Sequence, residues 1–155
     1  MAVELPENLK QSKPLSTTEE AVYLWILVTA EQLKAETVDL FKQRDLTAPQ
    51  YNVLRILRGA GDAGLCGREI GDRMITRDSD ITRMLDRLES RGLIRRERQT
   101  DDRRIVLAFI SKAGLATLAE LDKPIVAWHK NRLAHLSENE MKTLTRLLRK
   151  VLKDG

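Results

Sequence analysis

The feature that most constrains the fold of this chain is an amphipathic helical pattern, beginning near residue 78, that runs directly into two short strand patterns. The apolar side chains of the helix recur at i, i+3, i+4 and i+7, at Ile81, Met84, Leu85 and Leu88. Residues 93–98 and 104–110 have the composition of strands and predict a hairpin with a charged tip. A short helix predicted at 67–74 precedes them, so the order predicts a winged helix-turn-helix unit.

The rest of the chain predicts helices. Ser16 to Glu19 has the spacing of a capping box, which predicts a first helix from Ser16 to about Arg44. A second box at Thr47 begins a helix over 48–59, and two helices of about twenty residues follow Ser111 and Ser137. We therefore expect a mainly α fold with a small β-hairpin wing.

The segment from Val22 to Val28 is apolar on every side of its predicted helix. A surface helix of a small monomer would expose a large apolar patch there. We therefore expect a second chain to cover this segment.

Arginine is concentrated in one part of the sequence. The net charge is +4, and 11 of the 17 arginines lie between Arg68 and Arg104, whereas all ten lysines lie outside that stretch. The planar guanidinium pairs with phosphate or with the edge of guanine through two hydrogen bonds. The distribution favours double-stranded DNA as a partner, although a solvated helix face with acidic neighbours is the alternative.

Several other classes of protein are not favoured. The longest apolar run, 21–30, is shorter than the ~20 residues of a membrane span, and the N-terminus lacks the pattern of a secretory signal. A single cysteine, Cys66, suits the reducing cytoplasm. The chain has no phosphate-binding glycine loop and no HExxH, and His129 and His135 do not share a helical face, so we predict no metal site, no cofactor and no enzymatic activity.

Two segments carry a family resemblance. Residues 80–96 (DITRMLDRLESRGLIRR) and 101–107 (DDRRIVL), followed by SKAG at 111–114, resemble the recognition helix and wing of MarR-type bacterial transcriptional regulators. The resemblance implies one domain over 1–155 that forms a triangular homodimer. In this domain 16–44 and 112–153 would dimerise and 48–110 would form the DNA-binding lobe.

The resemblance also implies which residues face DNA. On the recognition helix they are Arg77, Ser79, Asp80, Thr82, Arg83 and Arg87. At the wing tip they are Asp102 and an arginine, Arg103 or Arg104. The carboxylate of Asp102 would orient this arginine for insertion into the minor groove. In the alternative interpretation, Arg83, Arg87 and Arg91 pair with Asp86, Glu89 and similar neighbours along an exposed helix.

Members of this family commonly respond to small, often phenolic, ligands held between the dimer helices and the winged lobe. Trp25, Tyr51 and Trp128 are the candidates for lining such a pocket for a small aromatic effector, and plain core packing is the alternative for all three. Cys66 lies just before the third helix, where a redox role is chemically possible, but a bystander thiol is the better interpretation.

The resemblance implies a ligand-responsive repressor that binds a pseudo-palindromic operator as a homodimer. The competing hypothesis is a winged-helix adapter that binds proteins and no specific DNA, because a fold alone does not fix function.

Overall fold

A computed structural model describes residues 17–76 and 80–153. Within these residues the chain forms six α-helices, three strands and a short 3₁₀ turn, Gly61–Ala63. The helices are α1 (Thr18–Lys42), α2 (Ala48–Ala60), α3 (Gly67–Arg73), α4 (Ile81–Ser90), α5 (Lys112–Arg132) and α6 (Glu138–Lys153). The strands are β1 (Leu65–Cys66), β2 (Ile94–Arg98) and β3 (Val106–Ile110). The mainly α fold with a small wing is confirmed.

Hydroxyl side chains cap the helix starts. Thr17 Oγ1 accepts the backbone N–H of Glu20 at 3.2 Å, so α1 begins one residue later than the box predicted at Ser16, which lies outside the described residues. The helix also ends at Lys42, before the predicted Arg44. The box at Thr47 is confirmed, since Thr47 N–H donates to Gln50 Oε1 at 3.0 Å and Gln50 N–H donates to Thr47 Oγ1 at 3.3 Å.

The wing is a three-stranded antiparallel sheet in the order β1-β3-β2. In its register Ile94 lies opposite Ile110 and Arg98 lies opposite Val106, which is the predicted hairpin. The sequence missed β1, which pairs Leu65 with Ala108. A strand of two residues is too short to show the alternation of apolar and polar side chains that marks a strand. It is recognised only by its pairing with β3.

One buried core joins the C-terminal end of α1, α2, α3, α4, the sheet and α5. Its fully buried side chains include Leu54, Leu57, Ile70, Leu88 and Leu118. The predicted inner face of α4 is confirmed, because Met84, Leu85 and Leu88 all belong to this core. The burial of this face leaves the opposite face of α4 on the outside of the lobe.

The start of α5 is attached to the turn that follows α4. Ser111 N–H donates to the carbonyl of Leu93 at 3.0 Å, and Ser111 Oγ donates to the carbonyl of Gly92 at 2.6 Å. Gly114 N–H donates to Ser111 Oγ at 3.0 Å and so caps the helix. The long helix α5 is thereby fixed to the winged lobe at its first turn. None of the helices described is long and apolar enough to cross a bilayer.

Candidate nucleic-acid interface

The outer face of α4 is polar and exposed. Thr82, Arg83 and Arg87 are all exposed, on the side of the helix opposite Met84 and Leu88. This separation follows from the 3.6-residue period, which puts every apolar side chain of the helix against the core. A helix that presents threonine and arginine outward from a rigid core can enter a groove without disturbing the fold.

Asp80 caps the start of α4. Its Oδ1 accepts the backbone N–H of Arg83 at 3.2 Å, and its Oδ2 lies 3.2 Å from Arg83 Nε. One carboxylate therefore both begins the helix and holds the guanidinium of Arg83 over the first turn. Of the other residues predicted at this end, Arg77 and Ser79 lie outside the described residues.

Two arginines near the C-terminal end of α4 have different surroundings. The exposed guanidinium of Arg87 makes no ion pair or hydrogen bond with any residue in the described parts of the chain. Arg91, by contrast, donates to the carbonyls of Asp45 and Arg44 at 2.5 and 3.0 Å. Arg91 therefore ties the end of α4 to the loop between α1 and α2, whereas Arg87 remains available to an external acceptor.

Asp86 and Glu89 pair with Arg96 of β2. The Arg96 Nε donates to Glu89 Oε2 at 2.8 Å, and its Nη2 donates to Asp86 Oδ1 at 2.6 Å. Glu89 also accepts the backbone N–H of Arg96 at 3.0 Å, and its carboxylate raises the pKa of the Arg96 guanidinium above the ordinary value. In the described residues these acids thus form no pair with Arg83, Arg87 or Arg91 along the helix. The pairing with a helix neighbour that was the alternative from the sequence is seen for Arg83, whose partner is Asp80.

The tip of the wing is held by its own backbone and by one carboxylate. Asp102 Oδ1 accepts the backbone N–H of Arg104 at 2.9 Å, and the Asp102 carbonyl accepts the N–H of Ile105 at 3.0 Å. The carbonyl of Arg103 accepts a hydrogen bond from Arg98 Nη1 at 3.3 Å. The side chains of Arg103 and Arg104 are both exposed, so a structured turn presents two cations.

A further arginine of the wing is used within the fold. The guanidinium carbon of Arg95 lies 4.3 Å from the centre of the Phe109 ring, and Arg95 also pairs with Glu97. A cation over an aromatic face is favourable, so this contact joins the two strands of the hairpin. The sequence did not single out this contact, although Arg95 faces Phe109 in the register of the hairpin.

Exposed apolar side chains are concentrated on the long helices. We call this set the apolar helical face; from 37% to 82% of each side chain is exposed. Its members are Val22, Tyr23, Trp25, Leu27, Val38, Leu115, Val126, Leu133, Leu144, Leu147, Leu148, Val151 and Leu152. Four residues of the segment from Val22 to Val28 are in this set, and their exposure agrees with the expectation that a second chain covers the segment.

The three aromatic residues predicted to line an effector pocket differ in environment. Tyr51 is buried, with its ring centre 4.6 Å from that of Phe41, and burial raises the pKa of its phenol above the ordinary value. Trp25 lies on the apolar helical face, and the half-buried Trp128 packs against His129 with 5.3 Å between ring centres. Tyr51 is thus in a core environment, and the effector pocket stays a prediction.

Cys66 lies at the start of α3. Its backbone N–H donates to Glu69 Oε2 at 2.8 Å, and hydrogen bonds from Cys66 lower the pKa of the Glu69 carboxyl. Within the described residues, no group of three or more histidine, cysteine, aspartate or glutamate side chains could hold a metal ion.

Comparison with known proteins gives a consistent result. The sequence model of the MarR family matches residues 46–106. The chain is 30% identical over 106 residues to the HTH-type transcriptional regulator MhqR of Bacillus subtilis, spanning 68% of this chain and 72% of that protein.

Two solved structures are similar over most of their length. A MarR transcription factor from Planctomyces limnophilus is 38% identical, with a TM-score of 0.66 over 88% of this chain and 98% of that one. A mutant MarR from E. coli complexed with operator DNA is 29% identical, with a TM-score of 0.75 over 89% of this chain and 99% of that one.

Proposed function

Since this chain belongs to the MarR family of transcriptional regulators, we propose that it binds a pseudo-palindromic operator as a homodimer and occludes a promoter. Residues 48–110 are the DNA-binding lobe in this proposal, and the long helices before and after it are the dimerisation region. The adapter hypothesis without DNA has no support among the relatives, which are HTH-type transcriptional regulators.

The observation that carries the proposal is the division of α4 into a buried face and an exposed face of Thr82, Arg83 and Arg87. The major groove is wide enough for an α-helix, and each base pair presents a distinct pattern of donors and acceptors there. Arginine donates two hydrogen bonds to guanine, and threonine can contact any base edge. We assign α4 to the major groove, with Arg83 positioned by Asp80.

The wing supplies the second contact. Asp102 holds the backbone of the turn, and Arg103 and Arg104 extend from it into solvent. A cation here is attracted to the phosphates and to the negative potential of a narrow minor groove. We assign the tip to the DNA backbone or minor groove next to α4, without choosing between the two arginines.

The apolar helical face supports the homodimer. On α6, Leu144, Leu147, Leu148, Val151 and Leu152 lie at i, i+3, i+4, i+7 and i+8, which is one stripe of a helix. A second copy of the chain buries this stripe and that of α1 in a two-fold symmetric interface. A symmetric dimer presents two α4 helices to two half-sites, hence a pseudo-palindromic operator.

The DNA assignment is tested by footprinting and titration on the promoter fragment upstream of the gene of this protein. Arg87→Ala is expected to weaken binding to the protected site about tenfold or more, with a much smaller effect on nonspecific DNA. The double change Arg103→Ala and Arg104→Ala is expected to weaken binding to the protected site and to nonspecific DNA alike. It should also reduce the salt dependence of the affinity. Arg146→Ala, which removes the same charge from an exposed position on α6, is the matched control and should leave affinity nearly unchanged. Equal affinity in all variants would contradict the assignment of α4 to the groove.

The dimer is tested separately by sedimentation. Leu148→Glu places a charge in the stripe of α6 and should shift the protein toward monomers at micromolar concentration. Lys150→Glu changes an exposed residue two positions away and should leave the dimer intact. A dimer that survives Leu148→Glu unchanged would place the interface elsewhere.

A further inference from the structure

Exposed apolar side chains outside the apolar helical face are rare. Among the large hydrophobic residues that the structure describes as exposed, only Ile75 and Ile105 lie in the winged lobe. Ile105 is 37% exposed, at the wing, and Ile75 is 85% exposed, in the turn between α3 and α4. Ile75 is the most exposed side chain of this set, and it lies in the helix-turn-helix itself.

The backbone around Ile75 is held although its side chain is not. Ile75 N–H donates to Asn52 Oδ1 at 2.9 Å, and the buried Met74 donates its N–H to the carbonyl of Gly71 at 3.3 Å. The turn is therefore anchored to α2 and α3, and the isoleucine side chain contributes almost none of its surface to the core. Its apolar character is not explained by the packing of this chain.

The position of Ile75 connects it to the DNA. It precedes Asp80, the cap of α4, by five residues, so their Cα atoms are at most about 18 Å apart. That distance corresponds to about five base pairs at 3.4 Å each. The first residues of a recognition helix contact base edges, so Ile75 lies within about five base pairs of the bases that this end of α4 reads.

We propose that Ile75 is a specificity-determining residue that contacts the C5-methyl group of a thymine in each half-site. Thymine carries a methyl group in the major groove, where apolar side chains contact it. The inference rests on the proposed function, because it assumes that α4 occupies the major groove. It adds an apolar contact to an interface otherwise made of charged and hydroxyl side chains.

The test replaces each thymine of the operator in turn by deoxyuridine, which pairs with adenine in the same way and lacks only the methyl group. For the unmodified protein we expect about a fourfold loss of affinity at one position per half-site, which is the factor expected for one buried methyl group. For Ile75→Ala we expect lower affinity for the thymine operator and no further loss when uracil occupies that position. Ile105→Ala is the matched control and should keep the full response to uracil.

The two proposals fail in different ways. If Ile75→Ala loses the same affinity as the unmodified protein when uracil replaces thymine, at every position, Ile75 does not contact a methyl group. Specific binding of the operator by both proteins would still uphold the proposed function. If the unmodified protein protects no operator, both proposals fail, and this appears before any base is replaced.

Discussion

Replacing Gly114 by alanine separates helix propensity from packing. Gly114 lies in the first turn of α5 and is buried against the sheet. A Cβ at this position would overlap the carbonyl oxygen of Leu93 and come within 2.8 Å of Ile110 Cγ1. The carbonyl belongs to the backbone that accepts a hydrogen bond from Ser111, so it cannot move away without losing that bond.

The expected magnitude follows from three terms. Alanine is favoured over glycine in a helix by about 1 kcal/mol. Overpacking of a core costs about 1 to 3 kcal/mol, and loss of the hydrogen bond from Ser111 to Leu93 costs about 1 kcal/mol. The unfavourable terms are larger, so we expect Gly114→Ala to lower the free energy of unfolding by about 1 to 3 kcal/mol.

The assay is urea unfolding at one fixed protomer concentration, because the stability of a dimer depends on concentration. Gly59→Ala is the matched control, since Gly59 lies in α2 and a Cβ there would meet no atom within 4 Å. This control should raise stability by about 0.4 to 1 kcal/mol. If Gly114→Ala also stabilises the protein, the contact between α5 and the turn after α4 is not as close as described.

Three other changes have defined outcomes. Arg96→Ala should lower the free energy of unfolding in urea by about 1 to 2 kcal/mol, because it removes charged hydrogen bonds to the half-buried Glu89. A variant as stable as the parent would show that these hydrogen bonds contribute nothing to stability. Arg58→Ala removes the partner of Asp122 on α5 and should cost about 1 kcal/mol or less, since both side chains are a third or more exposed. That cost should shrink in high salt, and a cost independent of salt would contradict an ionic origin. Glu140→Gln should weaken the acid dependence of stability, because hydrogen bonds from the Ser137 cap lower the pKa of the Glu140 carboxyl below its ordinary value. The contribution of Glu140 is present above the ordinary pKa of a glutamate and is lost as the pH falls through the lowered value. An unchanged acid limb of the stability curve would refute this role.

Much of the fold follows from local patterns. The apolar spacing of α4 and the capping box at Thr47 are short-range signals, and the structure confirms both. The start of α1 was predicted one residue too early because Ser16 and Thr17 are adjacent hydroxyl residues, each with a glutamate three positions later. Local chemistry allows either cap, and the structure shows that Thr17 is used.

The contacts that the sequence does not reveal are long-range ones. The strand at Leu65 forms by pairing with Ala108, and the C-terminal end of α4 is held by hydrogen bonds from Arg91 to carbonyls 46 and 47 residues earlier. No period or motif of a single sequence encodes such distances. The same limit applies to Tyr51, because its burial depends on packing against Phe41 of another helix.

The arginines of the winged lobe show why composition alone cannot define an interface. Asp86 lies three residues after Arg83 on α4, a spacing at which two side chains of one helix can pair, yet Asp86 and Glu89 both pair with Arg96. Pairing with Arg96 is favoured because Glu89 also binds its backbone N–H, which fixes the geometry, whereas a pair along an exposed helix must immobilise two long side chains. By pairing with Asp86, Arg96 compensates the charge of this carboxylate, which is three residues from Arg83 on the exposed face of α4. Arg96, which stabilises the lobe, thus keeps the face assigned to DNA positive. The arginines that bond within the fold can be distinguished from those that face solvent only once β2 is placed beside α4.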